Sequence, residues 1–396
     1  MARADRVPLI EKLQQLRKNR LIISYVTSTR AGLEIQMADD VLRLIFEHLE
    51  GDKEKTKNGI DLFIHSNGGS GTVPWRLVNL IREYTKHFAV LVPNRAFSAA
   101  TLVALGADEI VMHRMGCLGP IDPSVANIFN PPNPQNPSQR APISVEDVTA
   151  YFRMVKDEVG ISHEDELVQA LIALTSQIHP LALGNVQRSH SQARMMARKL
   201  LKKHMAKKQE HEIEQIIDNL KSNLFFHGHP INRDEAEKDL ALKVIVADAE
   251  LESAMWDLYL QYEQELKLTE PFNPLHEIEI NRPQNPAATA AVTTQDIINQ
   301  MGQLAQHGIQ IGTPGLTEEQ IVRLAVAMLP AIQGRATGGR NKVKLEKIPG
   351  VYVESVVRTD VFRTDMALEA ATMNTPSGPQ DVIKQEVLWQ RWEQET

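Results

Sequence analysis

The sequence contains a single cysteine, Cys117, among its 396 residues. One cysteine excludes an intrachain disulfide and any zinc site built on several cysteines, and it is typical of a reducing compartment. Aromatic residues make up only 5% of the chain, which leaves few rings for stacking the bases of single-stranded nucleic acid. The net charge of -7 also argues against a basic binding face, so no nucleic-acid partner is predicted.

Long apolar runs are missing as well. No stretch reaches the roughly 18 uncharged apolar residues of a membrane-spanning helix. Residues 1–20 are charged throughout and lack the apolar core of a signal peptide, so we expect a cytoplasmic protein. No GxGxxG motif follows a predicted strand, so we expect no nicotinamide site; no cofactor and no metal are predicted.

Strand and helix patterns alternate over the first third of the chain. A β-rich strand and a helical period come first, at Leu21–Ser28 and 35–49, after a short amphipathic helix at 7–18. Three further strands follow, with helices at 73–86 and 98–105 between them: Ile60–His65, Phe88–Pro93 and Glu109–His113. This order is typical of a parallel sheet with helical crossovers, so the predicted fold class is α/β.

The remainder of the chain predicts mostly helices. Residues 127–142 are rich in proline and asparagine and are expected to form an exposed loop. From 145 to 266 the pattern is helical, apart from a strand at Leu242–Asp248. We predict four segments: an N-terminal helix at 1–18, a main domain at 19–266, a linker at 267–294 and a small helical unit with C-terminal strands at 295–396.

Two short motifs carry the candidate chemistry. HSNGGSGT places Gly68 and Gly69 directly after a predicted strand, and AFSAA places Ser98 at the start of a predicted helix. Glycines at a strand end leave backbone N–H groups open to a ligand, and such groups can form an oxyanion hole. Taken singly, a glycine turn is usually only a turn, and a serine that opens a helix is usually an N-cap.

Together with GADEIVMHRMGCLGPIDP and GHPINRDEAEKDLALKVIVAD, these motifs resemble the Clp/crotonase superfamily, and the whole chain is most similar to the serine dehydrogenase proteinase family. The resemblance implies a repeated ββα core with a C-terminal helical extension. It further implies that Ser98 is the nucleophile of a serine peptidase and that Gly69 and Ala99 supply the oxyanion N–H groups. Gly68 and Ser70 would bind a peptide or protein substrate, and a homo-oligomer is expected.

The general base stays open. Clp-type subunits place a histidine after the GADEIVM-like strand, where this chain has GCLGPIDP with Asp122, and His113 comes too early. Members similar to signal peptide peptidase use a lysine from a later helix, which corresponds to Lys156 beside an apolar stripe. A lysine base would need a depressed pKa, and the alternative is a solvated side chain. The later histidines compete for the role, those of the HGHPI segment included.

Residues 193–208 contain seven basic residues and no acid, with methionines and leucines along one side. Such a helix could contact an anionic membrane surface, or it could pack within an oligomer with its basic face solvated. For the whole chain, three functions stay open. They are a serine endopeptidase with a Ser-Lys dyad, a non-catalytic oligomeric scaffold that keeps the fold, and a crotonase-type enzyme acting on acyl-thioesters.

Overall fold

A computed structural model describes residues 3–121, 124–133, 136–205, 210–222, 229–281, 342–375 and 378–395. The chain divides into two compact units. The first comprises Met1–Phe272, Pro349–Arg363 and Arg391–Thr396, and it contains both candidate motifs. The second comprises Asn273–Ile348 and Thr364–Gln390.

The described strands are β1 (Leu21–Thr27), β2 (Ile60–His65), β3 (Phe88–Val92), β4 (Arg95–Ala96), β5 (Glu109–Met112), β6 (Cys117–Leu118), β7 (Ser124–Val125), β8 (Pro132–Asn133), β9 (Asn136–Arg140), β10 (Ile143–Ser144), β11 (Val244–Val246), β12 (Lys342–Glu354), β13 (Thr359–Thr375) and β14 (Gly378–Glu395). The described helices are α1 (Arg3–Leu16), α2 (Val41–Gly51), α3 (Lys53–Thr56), α4 (Val73–Tyr84), α5 (Ala99–Leu105), α6 (Val145–Arg153), α7 (Glu164–Gln177), α8 (Pro180–Leu201), α9 (Glu210–Ser222), α10 (Arg233–Lys238), α11 (Ala249–Glu265) and α12 (Pro274–Ile280). A π-helical turn, Met154–Glu158, continues α6.

The central sheet has the strand order β11-β5-β3-β2-β1-β12-β13-β14. The first five of these strands are parallel, and β12 pairs antiparallel with β1. β1, β2 and β3 are buried along their whole length, as expected for parallel strands covered by helices on both faces. The candidate motifs follow β2 and β3, so both lie at the carboxyl edge of this sheet, where α/β folds place their ligand sites.

Side chains that alternate along the strands feed two hydrophobic cores. On one face the strands pack with α2, α4, α5, α8 and α9. On the other face they pack with α1 and α11, where Ile22 and Val26 of β1 contact Ile10 and Leu13 of α1 and the apolar side of α11. The α/β class predicted from the sequence is confirmed.

Most predicted elements of the first 120 residues agree with the structure to within a few residues. Two predictions are wrong, one within this range and one after it. The helix predicted at 35–49 begins at Val41, because Met37 lies extended beside the glycine turn and its N–H donates to Gly68 O at 2.8 Å. The proline-rich stretch 127–142 is not wholly irregular, since β8 and β9 pair as an antiparallel hairpin. The predicted domain boundaries stay predictions, and much of 267–341 lies outside the described residues.

Candidate active site

The glycine turn after β2 lies directly against the turn that carries Ser98. Gly68 and Gly69 have φ values of +94° and +153°, a region that side chains disfavour. A Cβ atom on Gly68 would lie 2.6 Å from Phe97 O and 2.8 Å from the Ser98 Cβ. A Cβ on Gly69 would overlap the backbone N and O of Met37. Glycine is therefore required at both positions for the two turns to approach this closely.

Ser98 itself is strained. It precedes α5 with φ +53° and ψ -113°, its side chain makes no capping hydrogen bond, and it is half-buried. A non-glycine residue in such a conformation persists only where its surroundings enforce it, and a strained strand-to-helix turn is typical of an exposed nucleophile. Phe97 N donates to Ser66 O at 3.0 Å, and the Thr101 hydroxyl lies 2.7 Å from Ala96 O, so hydrogen bonds fix both sides of the turn.

The two predicted oxyanion donors are open. Within the described part of the chain, the backbone N–H groups of Gly69 and Ala99 donate no hydrogen bond. The opposite edge of the glycine turn is occupied, because Ser70 N donates to Met37 O and Met37 N donates to Gly68 O. This pairing holds the turn in place and leaves the Gly69 N–H and C=O without a partner among the described residues.

Ser98, Gly68, Gly69 and Ala99 line one cavity of about 500 Å³. The sequence predicted this grouping, but it gave no signal for the other walls. One wall is formed by Glu34–Gln36, the extended segment before α2, and another by α8. The α8 contribution comes from one helical face about 90 residues after the serine: Ser189, Gln192 and Ala193. No local pattern marks these residues, because only packing of α8 against α5 brings them to the cavity.

Lys156 is not brought to Ser98. It lies on the π-helical turn after α6, its side chain is exposed, and it does not line the cavity. The apolar stripe on which its position was predicted is only partly buried: Val155 is buried, whereas Val159 is 62% exposed. Ser70, predicted to bind substrate, bonds instead to the Thr72 hydroxyl at 2.9 Å and lies outside the cavity lining.

None of the described histidines lines the cavity either. His65, at the end of β2, is fully buried and its Nε2 pairs with the Thr29 hydroxyl at 3.0 Å. Burial, followed by the positive charge of Arg95, lowers the pKa of His65 to about 3, so the ring is neutral at ordinary pH. His229 of the HGHPI segment lies 2.8 Å from Glu235, and His227 lies outside the described residues.

A second serine, Ser355, lies in a triad-like arrangement that the sequence did not predict. Its hydroxyl is 2.8 Å from His48 Nδ1, and His48 Nε2 is 3.1 Å from Asp360 Oδ2. Arg358 donates two hydrogen bonds to the same carboxylate. Ser355 and His48 are both 0% exposed, so no substrate can reach this serine. The network instead ties the turn after β12 to α2.

Replacement of Ser355 by alanine separates this structural role from catalysis. We expect Ser355→Ala to lower the free energy of unfolding by about 1–2 kcal/mol, because the buried His48 Nδ1 loses its partner. Urea unfolding measures this loss. Labelling by an active-site fluorophosphonate should be unchanged in the same preparation, and a loss of label with retained folding would show instead that Ser355 is a reactive nucleophile.

Three of the seven basic residues of segment 193–208 pair with acids of the same chain, and Lys207 and Lys208 lie outside the described residues. Arg194 and Arg198 pair with Glu214 of α9, and Lys202 pairs with Glu210. Lys199 and Lys203 lie over the ring of Trp75, at 5.3 and 4.9 Å from its centroid. These contacts favour the interpretation of a packed helix, and the membrane contact stays a prediction.

In the described residues, no single helix has the length and apolar composition to cross a bilayer. Among these described residues, only α7 and α8 taken together have the length and apolar composition of a membrane span, and they are bent by 103° relative to each other. Across the same residues, no three side chains of histidine, cysteine or acid type come together as metal ligands.

Residues 30–173 match the ClpP-like SDH-type serine proteinase family. The matched range contains the glycine turn, Ser98 and Lys156, so the family resemblance predicted from the motifs is confirmed. A serine proteinase family over this range supports a peptidase role for the segment.

Three further proteins are similar to parts of the chain. Uncharacterized protein MJ1495 of Methanocaldococcus jannaschii is 36% identical over 66 residues, which are 17% of this chain and 23% of that protein. Uncharacterized protein MJ0137 of the same organism is 26% identical over 155 residues, 35% of this chain and 52% of that protein. The chain thus spans at most about half the length of these relatives. A solved mutant of the 1510-N membrane-bound stomatin-specific protease covers 58% of this chain and 81% of its own, with 13% identity and a TM-score of 0.33.

Proposed function

We propose that the chain is a serine peptidase that hydrolyses peptide bonds through an acyl-enzyme on Ser98. The observation that carries this proposal is the strained Ser98, packed against Gly68 and facing a 500 Å³ cavity together with two open backbone N–H groups. Strain at a serine that makes no capping bond has no structural benefit, so it points to function. The repeated ββα organisation of the core belongs to the same proposal.

In this reaction the Ser98 Oγ bonds to the carbonyl carbon of the scissile peptide and its proton passes to a base. The Gly69 and Ala99 N–H groups stabilise the oxyanion, a contribution worth roughly 3–4 kcal/mol per donor in other enzymes. The C–N bond then breaks, and the base returns the proton to the leaving amine. Water attacks the acyl-serine by the same route, which releases the acid and restores the hydroxyl.

The substrate strand would add beside the glycine turn. One edge of that turn already pairs with Met37, so a peptide must use the other edge, where the Gly69 N–H and C=O are open. Backbone pairing of this kind tolerates many side chains and suits a peptidase of broad specificity. Ser70 stays a predicted contact, since its hydroxyl is bonded to Thr72.

The Ser-Lys dyad is the finer part of the proposal. Lys156 is exposed and outside the cavity lining, so it can act as the base only if its helix approaches Ser98 when substrate binds or when copies of the chain assemble.

Assembly is proposed on α7, which buries no residue and exposes apolar side chains at Val168, Leu171 and Ile172. A cytoplasmic location stays a prediction.

Fluorophosphonate labelling of the full chain tests the nucleophile and the base together. We expect wild type to label, Ser98→Ala to lose all label, and Lys156→Ala to lose most of it, because an unactivated serine does not react. Label lost only in Ser98→Ala would assign the base elsewhere. Circular dichroism of each variant confirms folding.

A non-catalytic scaffold is the second candidate. Its support is that, of the residues that the structure describes, no histidine or lysine lines the cavity. An assembled, folded wild type that takes no fluorophosphonate would favour this scaffold and contradict the peptidase.

A further inference from the structure

Arg95 lies three residues before the nucleophile and next to the cavity. Its Nη1 donates to the side-chain oxygen of Asn67 at 3.3 Å, and Asn67 lines the cavity beside Gly68. Its Nε lies 3.4 Å from the side-chain oxygen of Asn94, and its guanidinium stacks over Phe97 at 5.5 Å. Two neutral amides and a ring therefore hold the partly buried guanidinium in a fixed position, with further N–H groups left for a ligand.

Arg95 has no acidic partner within 4 Å in the described part of the chain. Arg3 and Arg30 also lack one there, but each donates to a backbone carbonyl, that of Val356 and that of Glu270 respectively. Five comparable arginines of the same unit each pair with a carboxylate: Arg6 with Glu354, Arg17 and Arg20 with Asp61, Arg82 with Asp108, and Arg233 with Glu252. Arg95 differs from all of these arginines, because among the described residues it bonds neither a carboxylate nor a backbone carbonyl and has only side-chain amide oxygens as acceptors.

The neighbourhood of Arg95 responds to its positive charge. Burial is the larger cause of the lowered pKa of His65, and Arg95 is the second. Burial raises the pKa of the Cys117 thiol, and Arg95 acts in the opposite direction. The positive charge of Arg95 disfavours the protonated forms of His65 and Cys117. Because Arg95 also has no acidic partner among the described residues, its fixed position requires another explanation. A ligand carboxylate would supply the missing partner in a geometry that guanidinium suits.

We propose that Arg95 binds a carboxylate of the peptide substrate at the edge of the cavity and so selects for substrates with an acidic group near the scissile bond. This inference rests on the proposed peptidase function. The carboxylate can come from an aspartate or glutamate side chain or from a free peptide C-terminus. Asn67 orients the guanidinium between the glycine turn and the incoming group.

The test uses paired fluorogenic peptides on the full chain. One pair differs by glutamate against glutamine at each position around the scissile bond, and a second pair differs by a free against an amidated C-terminus. We expect wild type to cleave the charged member with a kcat/KM about 10- to 100-fold higher, the range that a charge-assisted hydrogen bond gives. Arg95→Gln should remove that preference, so that the charged and the neutral member of each pair are cleaved with similar kcat/KM.

The controls separate this inference from the function on which it depends. Arg76→Gln replaces an exposed arginine that pairs with Asp39, and it should keep the charge preference. Labelling by a neutral fluorophosphonate reports the reactivity of Ser98 in each variant separately from the charge preference. A wild type that does not label overturns the peptidase itself. A wild type that labels and cleaves both members of each pair equally, or keeps its preference in Arg95→Gln, overturns the role of Arg95. The preferred pair identifies the source of the carboxylate.

Discussion

Gly69→Ala should slow fluorophosphonate labelling and peptide cleavage by about 100- to 1000-fold, as the loss of one oxyanion donor does in other serine peptidases. The added Cβ would overlap the backbone N and O of Met37 at a φ of +153°, so the turn must shift and carry its N–H away from the oxyanion position. The three atoms nearest to the new methyl group belong to Met37 and Gln36, on the side of the turn that pairs with Met37. Rates with a neutral fluorophosphonate and a quenched peptide measure the effect.

Gly71→Ala is the matched control. Gly71 also lines the cavity, but a Cβ there would meet nothing within 4 Å, and its φ lies outside the left-handed region. We expect this variant to label and cleave within a fewfold of wild type. If Gly69→Ala retains the wild-type rate with an intact fold, the Gly69 N–H is not an oxyanion donor. If Gly71→Ala lowers the rates of labelling and cleavage as much as Gly69→Ala does, the loss comes from disturbing the turn and not from the Gly69 N–H.

Arg6→Met should destabilise the protein by about 3–5 kcal/mol, the usual result of leaving one partner of a buried ion pair uncompensated. Arg6 and Glu354 are both fully buried, and the Arg6 Nε lies 2.6 Å from Glu354 Oε2. The Tyr262 and Thr359 hydroxyls donate to the same carboxylate, but they do not neutralise it. This network joins α1, α11 and β12, so its loss weakens the attachment of the added strand. Chemical unfolding measures the change.

Two variants check the cause of that loss. Arg43→Met removes an exposed arginine paired with Glu47 four residues on, and it should change the free energy of unfolding by at most about 0.5 kcal/mol. Adding Glu354→Gln to Arg6→Met removes the uncompensated charge and should recover part of the stability. A double variant less stable than Arg6→Met would falsify the charge explanation and point to lost packing against Tyr262 and Tyr352.

The candidate nucleophile could be predicted because its environment is local in the sequence. Two turns can approach closely only where the side chains are absent or small, as at the glycines of the first motif and the residues around Ser98. This requirement can be recognised from the residue types alone. The parallel strands were equally visible, since a strand buried on both faces is a short continuous apolar run. The start of α2 could not be predicted from the sequence. Met37 is extended because its N–H donates to Gly68 O, and no local sequence pattern indicates this contact.

The sequence by itself determined the α/β order, the glycine turn and the serine at the start of α5, because each depends on neighbouring residues and their backbone preferences. Only the tertiary structure decided which distant groups share the cavity. It brought α8 and the segment Glu34–Gln36 to Ser98 and left Lys156 exposed. It also paired Arg6 with Glu354 across 348 residues, whereas Arg95 has no acidic partner among the described residues. Charge pairing and cavity walls depend on contacts between segments that are far apart in the chain. A sequence pattern does not give the spatial distance between such segments.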